Sequence, residues 1–220
     1  DMGSSGVQRI DNVSVLRNVQ FKEDEGPMAH PIRPDSYEEI NNFYTATVYE
    51  KGAEVVRMLH TLLGEAAFKQ ACNLYFRRFD GQAVTTDDFI DVMQESSDID
   101  LQQFRLWYSQ AGTPCVSLKT EYDDKSNTLR LYLKQSTPDT PGQTGKAALL
   151  IPLKTALFDA AGDRLEFSYQ GELQEEAVIS LTTAQQSIEL TGVSSEPVVS
   201  ILRGFSAPVK LDFDQDQHSL

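Results

Sequence analysis

The spacing of apolar residues changes once along this chain, and that change limits the possible folds more than any other feature. Before Gly112-Thr113-Pro114, apolar residues recur at the spacing of one face of an α-helix. From Cys115 onward they alternate with polar residues, as in a half-buried β-strand. The sequence therefore predicts a helical region followed by an all-β region, with a boundary near Gly112.

The helical region is predicted to contain several helices and one proline-rich loop. Thr47 and Glu50 have the S/T-x-x-E spacing of a capping box, which predicts that a helix begins at Thr47. Gly64 is the expected stop of that helix, and a capping-box spacing at Thr85 and Asp88 predicts another start. Further helices are predicted over residues 7–21, 65–78 and 101–108, and a loop over 22–35.

The second region is predicted to be an antiparallel β-sandwich. A turn at residues 123–127 separates two alternating segments and completes a hairpin. Further strands are predicted over residues 148–158, 164–169, 177–181, 187–190, 198–205 and 209–213. Short strands with turns at this spacing are typical of a sandwich of about 100 residues.

Charge and cysteine content restrict the function classes. The 220-residue chain carries a formal net charge of −14, which argues against nucleic acid or an anionic membrane surface as a partner. No apolar run approaches the roughly 18 residues of a membrane span, and no signal peptide is expected. Two cysteines, Cys72 and Cys115, are too few for a disulfide framework and favour a reducing compartment.

The common catalytic and metal-binding motifs are absent from this sequence. It contains no H-E-x-x-H, no C-x-x-C pair, no Gly-rich phosphate loop and no G-x-S-x-G. The three histidines, His30, His60 and His218, are far apart in the chain. No metal-ligand set is therefore predicted.

The residues that could take part in chemistry are concentrated in positions 41–58, around two tyrosines. Tyr49 falls in the first turn of the predicted helix, where backbone N–H groups are free and the helix dipole is positive. Gly52 lies inside that helix, where glycine costs about 1 kcal/mol relative to alanine. On one continuous helix Tyr44 and Tyr49 would point about 140° apart, so they share a site only if Tyr44 precedes the helix. The residues alone leave a purely structural role open for both.

This stretch resembles the aminopeptidase N family of zinc aminopeptidases, and more narrowly its bacterial branch. The residues that carry the likeness are 28–34 (MAHPIRP), 41–44 (NNFY) and 48–55 (VYEKGAEV), supported by segments 62–65, 104–114 and 205–211. The likeness runs in order over essentially the whole chain. The combination is specific, although each piece alone is weak.

The resemblance implies a piece of a larger enzyme. Residues 1–112 would be the C-terminal helical half of a thermolysin-like catalytic domain, residues 113–214 the small β-sandwich, and residues 215–220 a tail leading to a missing C-terminal helical domain. The family's zinc motif and its G-x-M-E-N amine-binding motif lie upstream of the matching region. Zinc is thus expected in the intact enzyme but not bound to this chain, and the isolated fragment is expected to be inactive.

The resemblance also implies roles for both tyrosines. In that family zinc activates a water, a glutamate acts as base, and a tyrosine stabilises the tetrahedral oxyanion; by motif match this tyrosine is Tyr49. Tyr44 matches a position that lines the pocket for the substrate's N-terminal side chain, and Gly52 is expected to pack closely on a neighbouring element. Peptides with a free N-terminus are the expected substrates, and a cytoplasmic location is expected.

A second class of function stays open at this point. The same chain could be a non-catalytic helical plus β-sandwich module that binds or scaffolds other proteins. Helix faces that would pack on a missing half would expose apolar surface, so self-association is a further expectation. An H-E-x-x-H followed by another glutamate, upstream in the parent protein, would distinguish the enzyme from the scaffold.

Overall fold

The computed structural model describes residues 4–213 and contains two compact units. The helical unit comprises the chain up to residue 113 together with residues 138–149, and the β unit comprises residues 114–137 and the chain from residue 150 onward. The predicted tail 215–220 lies outside the described residues. Segment 138–149 connects two strands in sequence but belongs to the helical unit, which the change in apolar spacing does not indicate.

Within residues 4–213, the helical unit contains five α-helical segments, two π-helical segments and two 3₁₀ turns. The α-helices are α1 (Ser5–Val15), α2 (Phe21–Glu25), α3 (Gly52–Phe79), α4 (Thr86–Glu95) and α5 (Leu106–Ser109). Two π-helical segments, Leu16–Gln20 and Thr47–Lys51, directly precede α2 and α3, and 3₁₀ turns span Ile40–Phe43 and Gln103–Arg105. The predicted helix over 7–21 therefore continues through a π-helical segment to Glu25.

Two of the predicted helix signals are confirmed. The α3 segment is interrupted at Gly64, whose φ of 77° and ψ of 162° are not helical, so the predicted stop divides it into two helices. Thr85 and Asp88 form the predicted capping box of α4: the Thr85 N–H donates to Asp88 Oδ2 at 2.7 Å, and the Asp88 N–H donates to Thr85 Oγ1 at 3.3 Å.

The core of the helical unit lies where α3 and α4 pack together. Tyr75 of α3 meets the ring of Phe89 of α4 edge-on, with centroids 5.2 Å apart. The largest fully buried apolar side chains of this unit are Leu16, Met58, Leu59, Ile90, Met93, Leu101, Phe104 and Trp107. Their burial explains why the helical spacing is so visible in the sequence.

Ten strands are found in the described part of the β unit, and they form two sheets. They are β1 (Cys115–Asp123), β2 (Thr128–Ser136), β3 (Ile151–Phe158), β4 (Arg164–Leu165), β5 (Phe167–Tyr169), β6 (Glu172–Gln174), β7 (Glu176–Leu181), β8 (Gln185–Thr191), β9 (Val198–Ser200) and β10 (Lys210–Asp212). One sheet has the order β10-β1-β2-β8-β5-β6, and in the other β3 pairs with β4, β7 and β9. The predicted fold class, a helical part followed by a β-sandwich, is confirmed.

Details of the sandwich differ from the prediction. Strand β10 runs parallel to β1, with Cys115 opposite Lys210, so the sandwich is not antiparallel throughout. The strand predicted over 198–205 ends at Ser200, because Leu202 and Phe205 have φ values of 58° and 55°, outside the β region. The short strand β6 was not predicted, since its three residues are too few for a visible alternation.

Two glycines of the helical unit provide a matched test of this backbone geometry. Gly64→Ala is expected to lower the free energy of unfolding by about 1–3 kcal/mol, because φ of 77° with ψ of 162° is almost restricted to glycine. Gly52 is helical, and an added Cβ would meet Ile32 at an ordinary 3.6 Å, so Gly52→Ala is expected to stabilise by up to about 1 kcal/mol. Urea unfolding followed by helical circular dichroism measures both; equal stability of the two variants would contradict this account.

Candidate active site

The helical segment that carries Tyr49 begins at Thr47, as predicted, but its side-chain cap lies two residues earlier. The Val48 N–H donates to Thr45 Oγ1 at 3.1 Å, and the Tyr49 N–H donates to the Thr45 carbonyl at 3.1 Å. Ala46, which precedes the turn, is already helical with φ of −62° and ψ of −32°. The predicted capping box of Thr47 and Glu50 is therefore wrong, and Thr45 supplies the side-chain cap.

Thr47 is instead held by a carboxylate from a distant part of the chain. Its backbone N–H and its hydroxyl both donate to Glu23 Oε2 at 2.7 Å. Gln20 Nε2 donates to the same hydroxyl oxygen at 3.2 Å. Because a capping threonine and a tertiary hydrogen-bonding threonine look alike in sequence, the pattern could not distinguish Thr45 from Thr47.

Tyr49 lies within the π-helical segment Thr47–Lys51, called the π-turn below. The N–H of Gly52 donates to the carbonyl of Thr47, five residues back. Such single π-helical turns are rare and occur often at functional sites. The expectation that Gly52 packs closely on a neighbouring element is not supported within the described residues. A Cβ added at Gly52 would lie 3.6 Å from Ile32, which is an ordinary van der Waals distance.

The structure brings the two candidate tyrosines together. Tyr44 follows the 3₁₀ turn Ile40–Phe43 with a non-helical backbone, φ −107° and ψ 54°, and so precedes the helix. Its ring stacks on that of Tyr49, with centroids 6.1 Å apart and planes inclined by 18°. Both side chains are largely solvent-exposed, 66% for Tyr44 and 58% for Tyr49. The condition for a shared site is met.

A buried ion pair lies at the far end of the π-turn. Lys51 Nζ donates to Asp24 Oδ2 and to the carbonyl of Gly112, each at 2.8 Å. The Thr113 hydroxyl donates to the same Asp24 oxygen at 2.8 Å. The Lys51 and Asp24 side chains are 1% and 0% exposed. Sequence reasoning missed this pair, because no local spacing signals a contact between residues so far apart in the chain.

The proline-rich loop of residues 28–34 is tied to α4 and α5. The Arg33 N–H donates to the Tyr108 carbonyl at 2.9 Å, and Arg33 Nη1 donates to Asp87 Oδ2 at 2.7 Å. Arg105 Nη1 donates to the other Asp87 oxygen at 2.8 Å. These hydrogen bonds from Arg33 and Arg105 lower the pKa of the Asp87 carboxyl, and burial raises the pKa of Tyr108 to about 12. The loop is thereby fixed beside the α3 start, where Ile32 contacts the Gly52 position.

Neither a metal cluster nor a membrane-spanning helix is found in the described part of the chain. Among residues 4–213, no three His, Cys, Asp or Glu side chains are arranged to hold a metal ion. His30 is half-buried, with Nδ1 lying 3.1 Å from the Pro31 carbonyl oxygen. None of the helices within this range is long and apolar enough to cross a bilayer.

Two family models match this chain, one over the helical part and one over the β part. Residues 6–108 match the model of the peptidase family M1 domain. Residues 112–214 match a domain of unknown function, DUF3458, described as having an Ig-like fold. The helical part of the chain thus matches the M1 peptidase domain, and the β part matches an Ig-like domain.

Over its whole length the chain is similar to bacterial aminopeptidase N sequences. It is 50% identical over 220 residues to aminopeptidase N of Haemophilus influenzae, covering 100% of this chain and 25% of the relative. Identity to aminopeptidase N of Escherichia coli K12 is 47% over the same length, again 25% of the relative. The chain thus spans about a quarter of the length of the curated relatives it matches. The resemblance to bacterial aminopeptidase N is confirmed.

A solved structure supports the fold independently. The crystal structure of Legionella pneumophila aminopeptidase A in complex with aspartic acid matches with a TM-score of 0.74 at 24% sequence identity. The match covers 94% of this chain and 24% of that one. At this identity the likeness establishes the fold alone.

Breaking the buried ion pair is expected to be costly. Asp24→Asn should lower the free energy of unfolding of the helical unit by about 3–5 kcal/mol, because it leaves the Lys51 ammonium buried without a counter-charge. Glu95→Gln, which breaks the exposed pair with Arg78, is the control and should change stability little. Urea unfolding read by circular dichroism tests this, and similar losses for both variants would contradict the importance of burial.

Proposed function

We propose that this chain is part of a zinc-dependent aminopeptidase that removes N-terminal residues from peptides, with Tyr49 stabilising the tetrahedral oxyanion. The match to the M1 peptidase domain and the identity to aminopeptidase N sequences support the enzyme class. The observation that carries the residue assignment is the exposed phenol of Tyr49, mounted on a π-turn whose two ends are anchored in buried structure.

The chemistry of a phenol suits this role. A tyrosine hydroxyl donates one hydrogen bond, and a fixed donor aimed at developing negative charge stabilises a transition state more than a ground state. Within residues 4–213 the Tyr49 hydroxyl has no hydrogen-bond partner, so the donor is free for substrate. Its ring is restrained on one side by Tyr44.

Tyr44 is proposed to line the pocket for the substrate's N-terminal side chain. Its ring lies against Tyr49 and exposes much of its surface, as a wall of a binding pocket would. Aromatic rings offer large apolar area with few rotatable bonds, which suits side-chain recognition. Tyr49 would therefore contact the reacting carbonyl, and Tyr44 would contact the side chain of the substrate's N-terminal residue.

The metal is proposed to be held by parts of the intact enzyme outside this chain. Residues 4–213 do not present a fitting ligand set, so we derive no step of the reaction from a metal bound here. From the two family matches we propose residues 1–112 as the second half of the catalytic domain and residues 113–214 as the β-sandwich. A cytoplasmic location is proposed from the two free cysteines and the similarity to bacterial aminopeptidase N. Exposed apolar residues of α1, such as Ile10 at 70%, are proposed to favour self-association of the isolated chain.

Removal of the Tyr49 hydroxyl tests the residue assignment. In the intact enzyme, Tyr49→Phe is expected to lower kcat by about 10²–10³, the usual loss for one oxyanion donor, with unchanged fold and zinc content. Steady-state kinetics on an aminoacyl substrate and metal analysis measure this. Tyr132→Phe removes an exposed phenol from β2 and is the control, with kcat expected to be unchanged. Near-normal kcat for Tyr49→Phe would refute the assignment.

Measurements on the isolated 220-residue chain test the proposal that the metal site lies outside it. It is expected to contain less than stoichiometric zinc after dialysis and to show no aminopeptidase activity, because the described residues lack a ligand set. Elemental analysis and a fluorogenic aminopeptidase assay provide the measurements, with the intact enzyme as the positive control. One tightly bound zinc per isolated chain would overturn the proposed location of the metal site.

A further inference from the structure

We propose that Glu23 is a positioning residue for Tyr49, holding the N-terminal end of the π-turn so that the Tyr49 phenol points in its productive direction. This inference rests on the proposed role of Tyr49. Glu23 lies in α2, outside the motif stretch of residues 41–58, and is not itself placed at the reacting atoms.

The contact geometry singles out one carboxylate oxygen. Glu23 Oε2 accepts two hydrogen bonds from Thr47, one from the backbone N–H and one from the hydroxyl, both 2.7 Å long. Hydrogen bonds to an ionised acceptor are roughly twice as strong as those between neutral groups. Thr47 is fully buried, so its N–H would otherwise have to find another partner away from water. Glu23 therefore fixes the backbone of Thr47 directly.

The next residue of α2 holds the other end of the same turn. Asp24 accepts from Lys51 Nζ at 2.8 Å, and Lys51 also donates to the Gly112 carbonyl. Adjacent acidic residues thus hold Thr47 and Lys51, the first and last residues of the π-turn. Tyr49 is the middle residue of the π-turn, and its ring stacks on that of Tyr44.

A π-turn depends on such anchors more than an α-helical turn does. It contains one more residue per hydrogen-bonded ring than the α-helix, and isolated π-helical turns are rare. If the turn relaxed to α-helical hydrogen bonding, the residues on its two sides would shift by one position relative to each other. This shift corresponds to a rotation of about 100° around the helix axis. A shift of this kind would move the Tyr49 hydroxyl by far more than an ångström. Loss of about 10²-fold in rate can follow from a misplacement of only 1 Å.

Glu23 offers a cleaner test than Asp24, because removing Asp24 would leave the buried Lys51 charge unpaired. In the intact enzyme, Glu23→Ala is expected to lower kcat about 10- to 100-fold with little change in KM, since the affected interaction is made in the transition state. Glu23→Gln keeps a carbonyl oxygen that can accept both Thr47 hydrogen bonds, and is expected to restore most of kcat. Glu95→Ala removes an exposed carboxylate paired with Arg78 and is the control, with kcat unchanged.

A double-mutant cycle shows whether Glu23 acts through Tyr49. In the Tyr49→Phe background the hydroxyl is already absent, so Glu23→Ala is expected to cause less than a threefold further loss of kcat. Equal losses in both backgrounds would overturn the positioning role while leaving the Tyr49 assignment intact. Near-normal kcat for Tyr49→Phe alone would refute the proposed function of Tyr49 and, with it, this inference.

Folding is measured on the same variants to keep the kinetic result interpretable. Circular dichroism and zinc content of Glu23→Gln and Glu23→Ala should match those of the unmodified enzyme. If Glu23→Ala fails to fold, Thr47→Val replaces it. This variant removes the hydroxyl that donates to Glu23 and accepts from Gln20, and it leaves the Thr47 backbone N–H bonded to Glu23, so a smaller loss of kcat, about 3- to 10-fold, is expected. Normal kcat for a folded Glu23→Ala, or for a folded Thr47→Val used in its place, would overturn the proposal.

Discussion

The ion pair of Lys51 and Asp24 is the interaction on which the candidate site depends. Removing two charges from water is costly, and the cost is offset only when good geometry and further hydrogen bonds satisfy both groups. Here the ammonium reaches Asp24 Oδ2 and the Gly112 carbonyl, and Oδ2 also accepts from Thr113. The other carboxylate oxygen, Oδ1, is buried without a hydrogen-bond partner among the described residues. The pair therefore joins α2, the π-turn and the end of the helical unit at one buried point.

This buried anchor fixes the backbone beneath the exposed Tyr49, as the role proposed for that residue requires. Tyr49 itself is 58% exposed, yet the residues two before and two after it, Thr47 and Lys51, are buried. Rigid backbone beneath an exposed side chain is the usual arrangement for binding and catalytic groups. The loop carrying Arg33 is held in a similar way, through Asp87 and the Tyr108 carbonyl.

Much of the fold could be predicted from local patterns. The apolar spacing located the helical and β regions, and Gly64 and the Thr85–Asp88 capping box marked a helix stop and a helix start. The parallel pairing of β10 with β1 could not be predicted, because alternation does not specify strand direction. Segment 138–149 has no period of its own, and its place in the helical unit depends on contacts such as Gln143 Oε1 accepting from the Ala111 N–H at 2.8 Å.

The sequence by itself determined the fold class, the family resemblance and the choice of Tyr44 and Tyr49 as candidates, because these depend on local spacing and motif content. The tertiary structure decided that Thr45 rather than Thr47 caps the helix and that the two tyrosine rings stack. It also showed that Glu23 and Asp24 anchor the π-turn. The two anchors could not be predicted because their hydrogen bonds and ion pair join residues more than twenty positions apart, which no local period encodes. The contact of Glu23 with Thr47 also decided which threonine caps the helix.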